Sequence, residues 1–131
     1  MTNSATPPSG RRALVVDDVT ANRKLAQVFL NKLGWDTAGA DGGHAALAWL
    51  ASQPGVDLVL LDISMPDLDG EEVCRQLRTH PAFDTLQIVA YTAHAMPTDS
   101  ERFLANGFNA VLVKPISLPR LKEVIDALFP T

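Results

Sequence analysis

The chain has 131 residues, which suits one domain with a single core. Hydrophobic residues make up 47% of it, which argues against wholesale disorder, and a net charge of −4 does not favour nucleic acid as a direct ligand. The single cysteine, Cys74, excludes an internal disulfide and fits a reducing compartment, and no apolar stretch reaches the roughly 20 residues needed to span a bilayer.

Residues 1–11 lack the apolar segment of a secretory signal and are rich in Ser, Thr and Pro. We predict a flexible N-terminal tail there, one domain over residues 12–131, and a cytoplasmic protein. The initial Met and the tail favour a separate protein over an excised domain.

Strand-like and helix-like patterns alternate after the tail. The predicted strands are Ala13–Val16, Trp35–Ala40, Val56–Asp62, Leu86–Thr92 and Ala110–Lys114. The first helical pattern has Leu25, Val28, Phe29 and Leu33 on one face and ends at Gly34. Further helical patterns cover Ala45–Ala51, a segment beginning near Gly70, a segment from Pro97 to Gly107, and a segment from Leu118 to Phe129. Five strands alternating with five helices predict an α/β fold whose parallel sheet is covered on both faces.

Polar residues stand where the predicted strands end. The run VDLVLLD (Val56–Asp62) reads as a buried strand, and its charged Asp62 belongs at the open end because burial inside the strand would be costly. The other strand ends carry Asp17 with Asp18, Thr92, and Lys114. Because the carboxyl ends of parallel strands share one edge, these side chains are expected to converge there.

Converging carboxylates repel one another unless a cation relieves them, and Mg²⁺ prefers carboxylates, waters and phosphate oxygens. The hydroxyl of Thr92 and the ammonium of Lys114 complete a site for a phosphoryl group bonded to Asp62. The sequence therefore predicts a magnesium-dependent phosphoacceptor site at this edge.

The chain resembles the response regulator receiver domains, the CheY-like family of two-component signalling. The matching segments are LVVDD, LLDISMPDLDG, YTAHA and VKPI, in this order along the chain. The resemblance covers nearly everything after the tail. Within the family, the chain is more similar to receivers of hybrid kinases and phosphorelays than to receivers of DNA-binding regulators. It implies a flavodoxin-like (βα)5 three-layer sandwich with strand order 2-1-3-4-5.

The resemblance also implies roles. Asp62 is expected to accept a phosphoryl group from phosphohistidine on a sensor histidine kinase or histidine phosphotransfer protein. Asp17, Asp18, Asp62 and the backbone carbonyl of Ser64 are expected to hold Mg²⁺, with Mn²⁺ as the alternative ion. Thr92 matches the switch hydroxyl and Lys114 the cation that pairs with the phosphoryl group, its bond to Pro115 typically cis.

The same resemblance implies a regulatory domain and not an enzyme, with at most self-phosphorylation and self-dephosphorylation chemistry expected. A downstream protein is expected on the face formed by helix 4, strand 5 and helix 5, without direct nucleic-acid or membrane binding.

One position departs from the family, because Val111 stands where an aromatic residue usually lies three positions before the lysine. Signal readout is therefore expected to use the loop from Thr92 to Pro97. Within it, His94 either tunes phosphoryl hydrolysis or is a solvated loop histidine. Tyr91 is expected to pack against the opposite face of the sheet from Thr92, and Cys74 to pack in the core.

Two other functions remain open. The chain could be a phosphorylation-independent interaction module. It could also be a Mg²⁺-dependent phosphatase with an aspartyl nucleophile, although that class of enzyme has a second Asp two residues after the first, where this chain has Ser64.

Overall fold

A computed structural model of the chain describes residues 11–93 and 96–130. Strands and helices alternate along these residues, as the sequence predicts. The strands are β1 (Arg12–Val16), β2 (Asp36–Ala40), β3 (Leu58–Asp62), β4 (Gln87–Thr92) and β5 (Ala110–Val113). The helices are α1 (Thr20–Lys32), α2 (Gly43–Ser52), α3 (Gly70–Arg78), α4 (Pro97–Ala105) and α5 (Leu118–Leu128), with a 3-10 helix at Pro81–Phe83. Four predicted strands were one or two residues too long, since Trp35, Val56, Leu86 and Lys114 lie outside them, and β1 begins one residue earlier than predicted, at Arg12.

The five strands form one parallel sheet in the order β2-β1-β3-β4-β5, which confirms the expected flavodoxin-like topology. β1 lies between β2 and β3, so the chain leaves β1 for one side of the sheet and later returns to the other side. This reversal opens a crevice between the carboxyl ends of β1 and β3. No helix in the described ranges 11–93 and 96–130 is long and apolar enough to cross a membrane.

The apolar side chains form one cluster on each face of the sheet. α2, α3 and α4 pack on the first face, where Leu50, Cys74 and Phe103 are buried. α1 and α5 pack on the second face, where Leu30 and Leu121 are buried. All five residues of β3 are buried, because helices cover this central strand on both sides.

The predicted inward face of α1 was wrong in part. Ala26 and Leu30 are fully buried, whereas Leu25 and Val28 are 40% and 48% exposed. The helix presents the small side chain of Ala26 to the sheet, and this sets a rotation in which the stripe of Leu25 and Val28 faces outward.

Both ends of the described fold meet at the amino edge of the sheet. The rings of Trp35 and Phe129 lie edge to face with centroids 5.0 Å apart. The Arg11 guanidinium lies 5.8 Å and 5.2 Å from the two ring centroids. This contact joins the residue before β1 to the residue after α5.

Candidate functional site

The carboxyl edge of the sheet brings together the side chains that the sequence places at strand ends. Asp17 follows β1 directly, and Asp62 is the last residue of β3. The two strands are paired neighbours, so these aspartates lie beside each other. Thr92 is the last residue of β4, and Lys114 directly follows β5. The backbone N–H of Lys114 donates a hydrogen bond to the carbonyl of Thr92 at 2.8 Å.

Three carboxylates form an acid cluster in the crevice between β1 and β3. One oxygen from each of Asp17, Asp18 and Asp62 lies within 4.8 Å of the others. Asp17 is fully buried, Asp62 is 3% exposed, and Asp18 is exposed. The cluster therefore has two carboxylates inside the protein and a third at its solvent side.

The ammonium of Lys114 bridges the two buried carboxylates. Its Nζ lies 3.0 Å from Asp17 Oδ2 and 3.1 Å from Asp62 Oδ1, while the ring centroid of Tyr91 is 4.7 Å away. The peptide bond from Lys114 to Pro115 is cis, as the resemblance implies. Tyr91 is buried in the second cluster, in agreement with its expected packing role.

Burial is the largest influence on Asp62 and raises the pKa of its carboxyl from 3.8 to about 6. The hydrogen bond and charge of Lys114 oppose this rise, and the negative charge of Asp17 adds to it. Burial alone would lower the pKa of Lys114, but the adjacent carboxylates of Asp17 and Asp62 together raise it further than burial lowers it. The raised pKa of Asp62 therefore means that the ammonium of Lys114 does not fully offset the cost of burying a negative charge at this position.

The donor set fits a hard divalent cation. Within residues 11–93 and 96–130, Asp17 Oδ2 is the buried side-chain oxygen without a hydrogen bond, and its contact is the ion pair with Lys114. An oxygen left in this way next to two further carboxylates suits Mg²⁺, which binds through a few carboxylates and keeps several waters. Asp17, Asp18 and Asp62 would hold the ion, which would neutralise charge at the cluster.

Backbone donors fix the orientation of the two buried carboxylates. The N–H of Val19 donates to Asp17 Oδ1 at 2.9 Å, and the N–H of Ser64 donates to Asp62 Oδ1 at 3.3 Å. Ser64 itself is exposed in the loop after β3, with its main chain next to the cluster.

The loop of residues 63–69 begins and ends against the backbone of β3. The N–H of Gly70 donates to the carbonyl of Ile63 at 2.9 Å. A Cβ at Gly70 would lie 2.3 Å from the carbonyl oxygen of Asp62, so only glycine permits this approach. Asp69 caps α3 by accepting the N–H of Glu72 at 2.8 Å.

Two residues near the site were missed by the sequence reasoning. Arg23 on α1 donates from its guanidinium to the backbone carbonyl of Asp17 at 2.8 Å. The carboxylate of Asp67, in the loop after β3, accepts the N–H groups of Gly43 and His44 at 3.2 Å and 3.1 Å. A spacing of 24 residues carries no local sequence signal, so neither periodicity nor turn chemistry could have found the second contact.

Two predictions about the switch region stay predictions. Val111 is half-buried against the first cluster, beside Ala90 of β4, and carries no ring that could turn inward. His94 lies outside the described residues, as does part of the loop from Thr92 to Pro97.

A flavodoxin-like sheet with an acid cluster and a lysine at its carboxyl edge is the arrangement of CheY-like receiver domains. The chain matches the response regulator receiver domain over residues 13–126. It belongs to this family, which places it among the components of two-component signalling.

Relatives of two kinds are similar to the chain. It is 38% identical over 125 residues to the sensor protein GacS of Pseudomonas syringae pv. syringae, covering 91% of this chain but 14% of GacS. It is 35% identical over 117 residues to the polar-differentiation response regulator DivK of Brucella ovis, covering 89% of this chain and 94% of DivK. The chain therefore spans a small part of the sensor kinases that it matches and nearly the full length of DivK.

Solved structures share the fold. The chemotaxis protein CheY4 of Vibrio cholerae superposes with a TM-score of 0.84 at 24% identity, covering 91% of this chain and 98% of that one. A CheY-like receiver domain from Methylobacillus flagellatus gives 0.80 at 27% identity, covering 90% and 98%.

Proposed function

We propose that Asp62 accepts a phosphoryl group from phosphohistidine in a Mg²⁺-dependent reaction, and that the phosphorylated domain signals by protein contact. The observation that carries this proposal is the ammonium of Lys114 placed 3.1 Å from the Asp62 carboxylate inside a cluster of three acids. A nucleophilic carboxylate, a fixed cation and a metal-binding acid pair are the parts that phosphoryl transfer requires.

In the proposed step, an oxygen of the Asp62 carboxylate attacks phosphorus and a new P–O bond forms. The P–N bond to the imidazole breaks, and the ring nitrogen keeps its electron pair. The ring takes up a proton from solvent and leaves as neutral histidine. Without a metal ion, burial raises the pKa of Asp62 to about 6, which still leaves the carboxylate ionised at pH 7.5, and a bound cation would favour the ionised form further.

The remaining groups receive the charge of the transferred phosphoryl group. Lys114 would move its ammonium from the carboxylates to a phosphoryl oxygen, and the Thr92 hydroxyl at the end of β4 would donate to another. Bound Mg²⁺ would neutralise the acids and a phosphoryl oxygen. Asp17 and Asp18, with the carbonyl of Ser64, would hold it.

The direct test is incubation with acetyl phosphate and Mg²⁺, followed by intact mass measurement. The wild type should gain one phosphoryl mass, and Asp62→Asn should gain none. Asp57→Asn is the matched control, because Asp57 precedes β3 at the opposite edge and its carboxylate accepts the N–H of Arg12 at 3.1 Å. No phosphoryl mass on the wild type, or equal labelling of Asp62→Asn, would contradict the proposal. Repeated hydrolysis of a phosphate ester would favour the phosphatase instead.

The phosphoryl donor is proposed to be a sensor histidine kinase or a histidine phosphotransfer protein. Apolar side chains of Val19, Leu25 and Val28 are 40–48% exposed on and before α1, the helix that begins beside the acid cluster, where the N–H of Val19 donates to Asp17. A protein that brings phosphohistidine to Asp62 would cover this surface. Leu25→Ser with Val28→Ser should slow transfer from such a protein and leave labelling by acetyl phosphate unchanged.

The downstream partner is proposed to bind the face of α4, β5 and α5. Leu104 and Val113 are 50% and 48% exposed there, and β5 is an edge strand. Leu104→Ser is therefore the control for the α1 variants. It should spare transfer from the donor while weakening binding of the phosphorylated domain to its target.

A further inference from the structure

α2 begins without the capping groups that helices normally supply for themselves. Its N-cap residue, Gly42, has no side chain to accept a hydrogen bond, and the first turn holds no acidic residue. The first N–H groups of a helix need acceptors, and a negative charge there is favourable. In this protein, a side chain distant in sequence accepts hydrogen bonds from the first N–H groups of α2.

Asp67 supplies the missing acceptors from the loop of residues 63–69. Its Oδ1 accepts the N–H of Gly43 at 3.2 Å, and its Oδ2 accepts the N–H of His44 at 3.1 Å. Both hydrogen bonds hold the pKa of the Asp67 carboxyl below its usual value, His44 contributing most, so the group is ionised at neutral pH.

The two glycines at the start of α2 leave room for this loop. A Cβ at Gly42 would lie 2.9 Å from Asp67 Oδ2, and one at Gly43 would lie 2.8 Å from the carbonyl oxygen of Leu68. Gly42, Gly43 and His44 all lie close to the loop of residues 63–69. The two backbones therefore approach each other directly, and the contact does not depend on one long side chain.

This contact joins the two halves of the acid cluster. The loop that carries Asp67 starts directly after Asp62 and includes Ser64. α2 follows β2, whose last residue Ala40 accepts the N–H of Asp17 at 3.1 Å. A carboxylate that ties the loop to α2 therefore restrains the β3 side of the cluster relative to the β1 side.

We propose that Asp67 is a positioning residue for the metal-binding loop, and that through it Mg²⁺ binding at the acid cluster is coupled to the N-terminus of α2. The inference rests on the proposed function only in taking the acid cluster as a Mg²⁺ site. Coupling between two sites is reciprocal, so Mg²⁺ strengthens the start of α2 by the same factor by which the Asp67 contact strengthens Mg²⁺ binding.

The first test measures Mg²⁺ affinity by titration with MgCl₂ alone, in wild type, Asp67→Asn and Asp67→Ala. The Kd should rise roughly three- to tenfold in Asp67→Ala, at or below the lower end of the roughly 10–100-fold effect of outer-shell partners, because Asp67 acts on the loop and not on a metal ligand directly. Asp67→Asn should fall between, because its amide oxygen accepts one of the two bonds. Gly43→Ala should raise the Kd as well, since it pushes the loop away without touching the carboxylate.

The matched control is Asp57→Ala. It removes a carboxylate that likewise accepts a backbone N–H distant in sequence, from Arg12, at the opposite edge of the sheet. It should destabilise the protein and leave the Kd for Mg²⁺ unchanged.

The second test separates positioning from simple capping. Amide exchange at Gly43 and His44 should slow on addition of MgCl₂ in the wild type, and this response should vanish in Asp67→Ala while the Ser64 amide still responds. With acetyl phosphate, the Mg²⁺ concentration for half-maximal labelling should rise in Asp67→Ala, and the rate at saturating Mg²⁺ should match the wild type.

An unchanged Kd for Mg²⁺ in a folded Asp67→Ala variant would overturn the inference. So would exchange rates of the Gly43 and His44 amides that do not change when MgCl₂ is added to the wild type. Neither readout needs phosphoryl transfer, so failure of Asp62 to be phosphorylated is a separate result. A wild type that binds no Mg²⁺ would overturn both proposals.

Discussion

Asp62→Asn removes one negative charge from the acid cluster and keeps the shape of the side chain. Asp62 is 3% exposed, and its Oδ1 accepts from the backbone of Ser64 and from Lys114. An asparagine oxygen can accept both bonds. We therefore expect the variant to be more stable than the wild type when Mg²⁺ is absent.

The size of the gain follows from the pKa of Asp62. Burial raises this pKa from 3.8 to about 6, a difference of roughly two units, or about 3 kcal/mol. Because the folded state holds the proton more tightly than the unfolded state, stability is highest below pH 3.8 and falls as the pH rises to 6. The full cost is present above pH 6, so Asp62→Asn should gain up to about 3 kcal/mol at pH 7.5 and nothing near pH 4.

The assay is urea unfolding followed by circular dichroism, at pH 4 and pH 7.5 in EDTA and again at pH 7.5 with Mg²⁺. A ligand at 100 times its Kd stabilises the folded state by about 2.7 kcal/mol, so Mg²⁺ should nearly close the gap by stabilising the wild type. Asp57→Asn, whose carboxylate accepts the N–H of Arg12, should show no gain. The reasoning is refuted if Asp62→Asn is less stable than the wild type at pH 7.5 in EDTA, or if its gain is equal at both pH values.

Three further outcomes can be measured on the same protein. Lys114→Gln removes the ammonium between two buried carboxylates and should lose about 3 kcal/mol of unfolding free energy in EDTA, with part restored by Mg²⁺; equal stability in EDTA would argue against the ion pairs. Gly70→Ala should lose about 1–3 kcal/mol despite the better helix propensity of alanine, because its Cβ would lie 2.3 Å from the Asp62 carbonyl; urea unfolding showing a gain would contradict the close approach. Cys74 should resist maleimide in the folded protein and react in urea, because its thiol is buried and burial raises its pKa; rapid native labelling would show that α3 opens readily.

The fold was largely predictable because pattern and resemblance agreed. The alternation of strand and helix patterns predicted a parallel sheet, and the motifs at the strand ends supplied the strand order. The rotation of α1 was not predictable, because Leu25 and Val28 look as apolar as the side chains that are buried. Which stripe turns inward depends on how closely Ala26 lets the helix approach the sheet, and this is a property of packing.

The candidate site was predictable in its membership and not in its contacts. Convergence of Asp17, Asp62 and Lys114 follows from strand ends that share an edge. That Lys114 bridges both carboxylates depends on side-chain placement within a few tenths of an ångström. The bonds from α2 to Asp67 depend on two loops meeting across 24 residues, which local propensity does not encode.

The stacking of Arg11 with Trp35 and Phe129 has a consequence for modular architecture. It brings the first and last segments of the described fold to the same corner, at the edge of the sheet away from Asp62. A neighbouring domain fused at either end would therefore emerge at one shared attachment point and leave the acid cluster open to solvent. The same fold could thus be one unit of a longer polypeptide without any change at the edge of the sheet that carries Asp62.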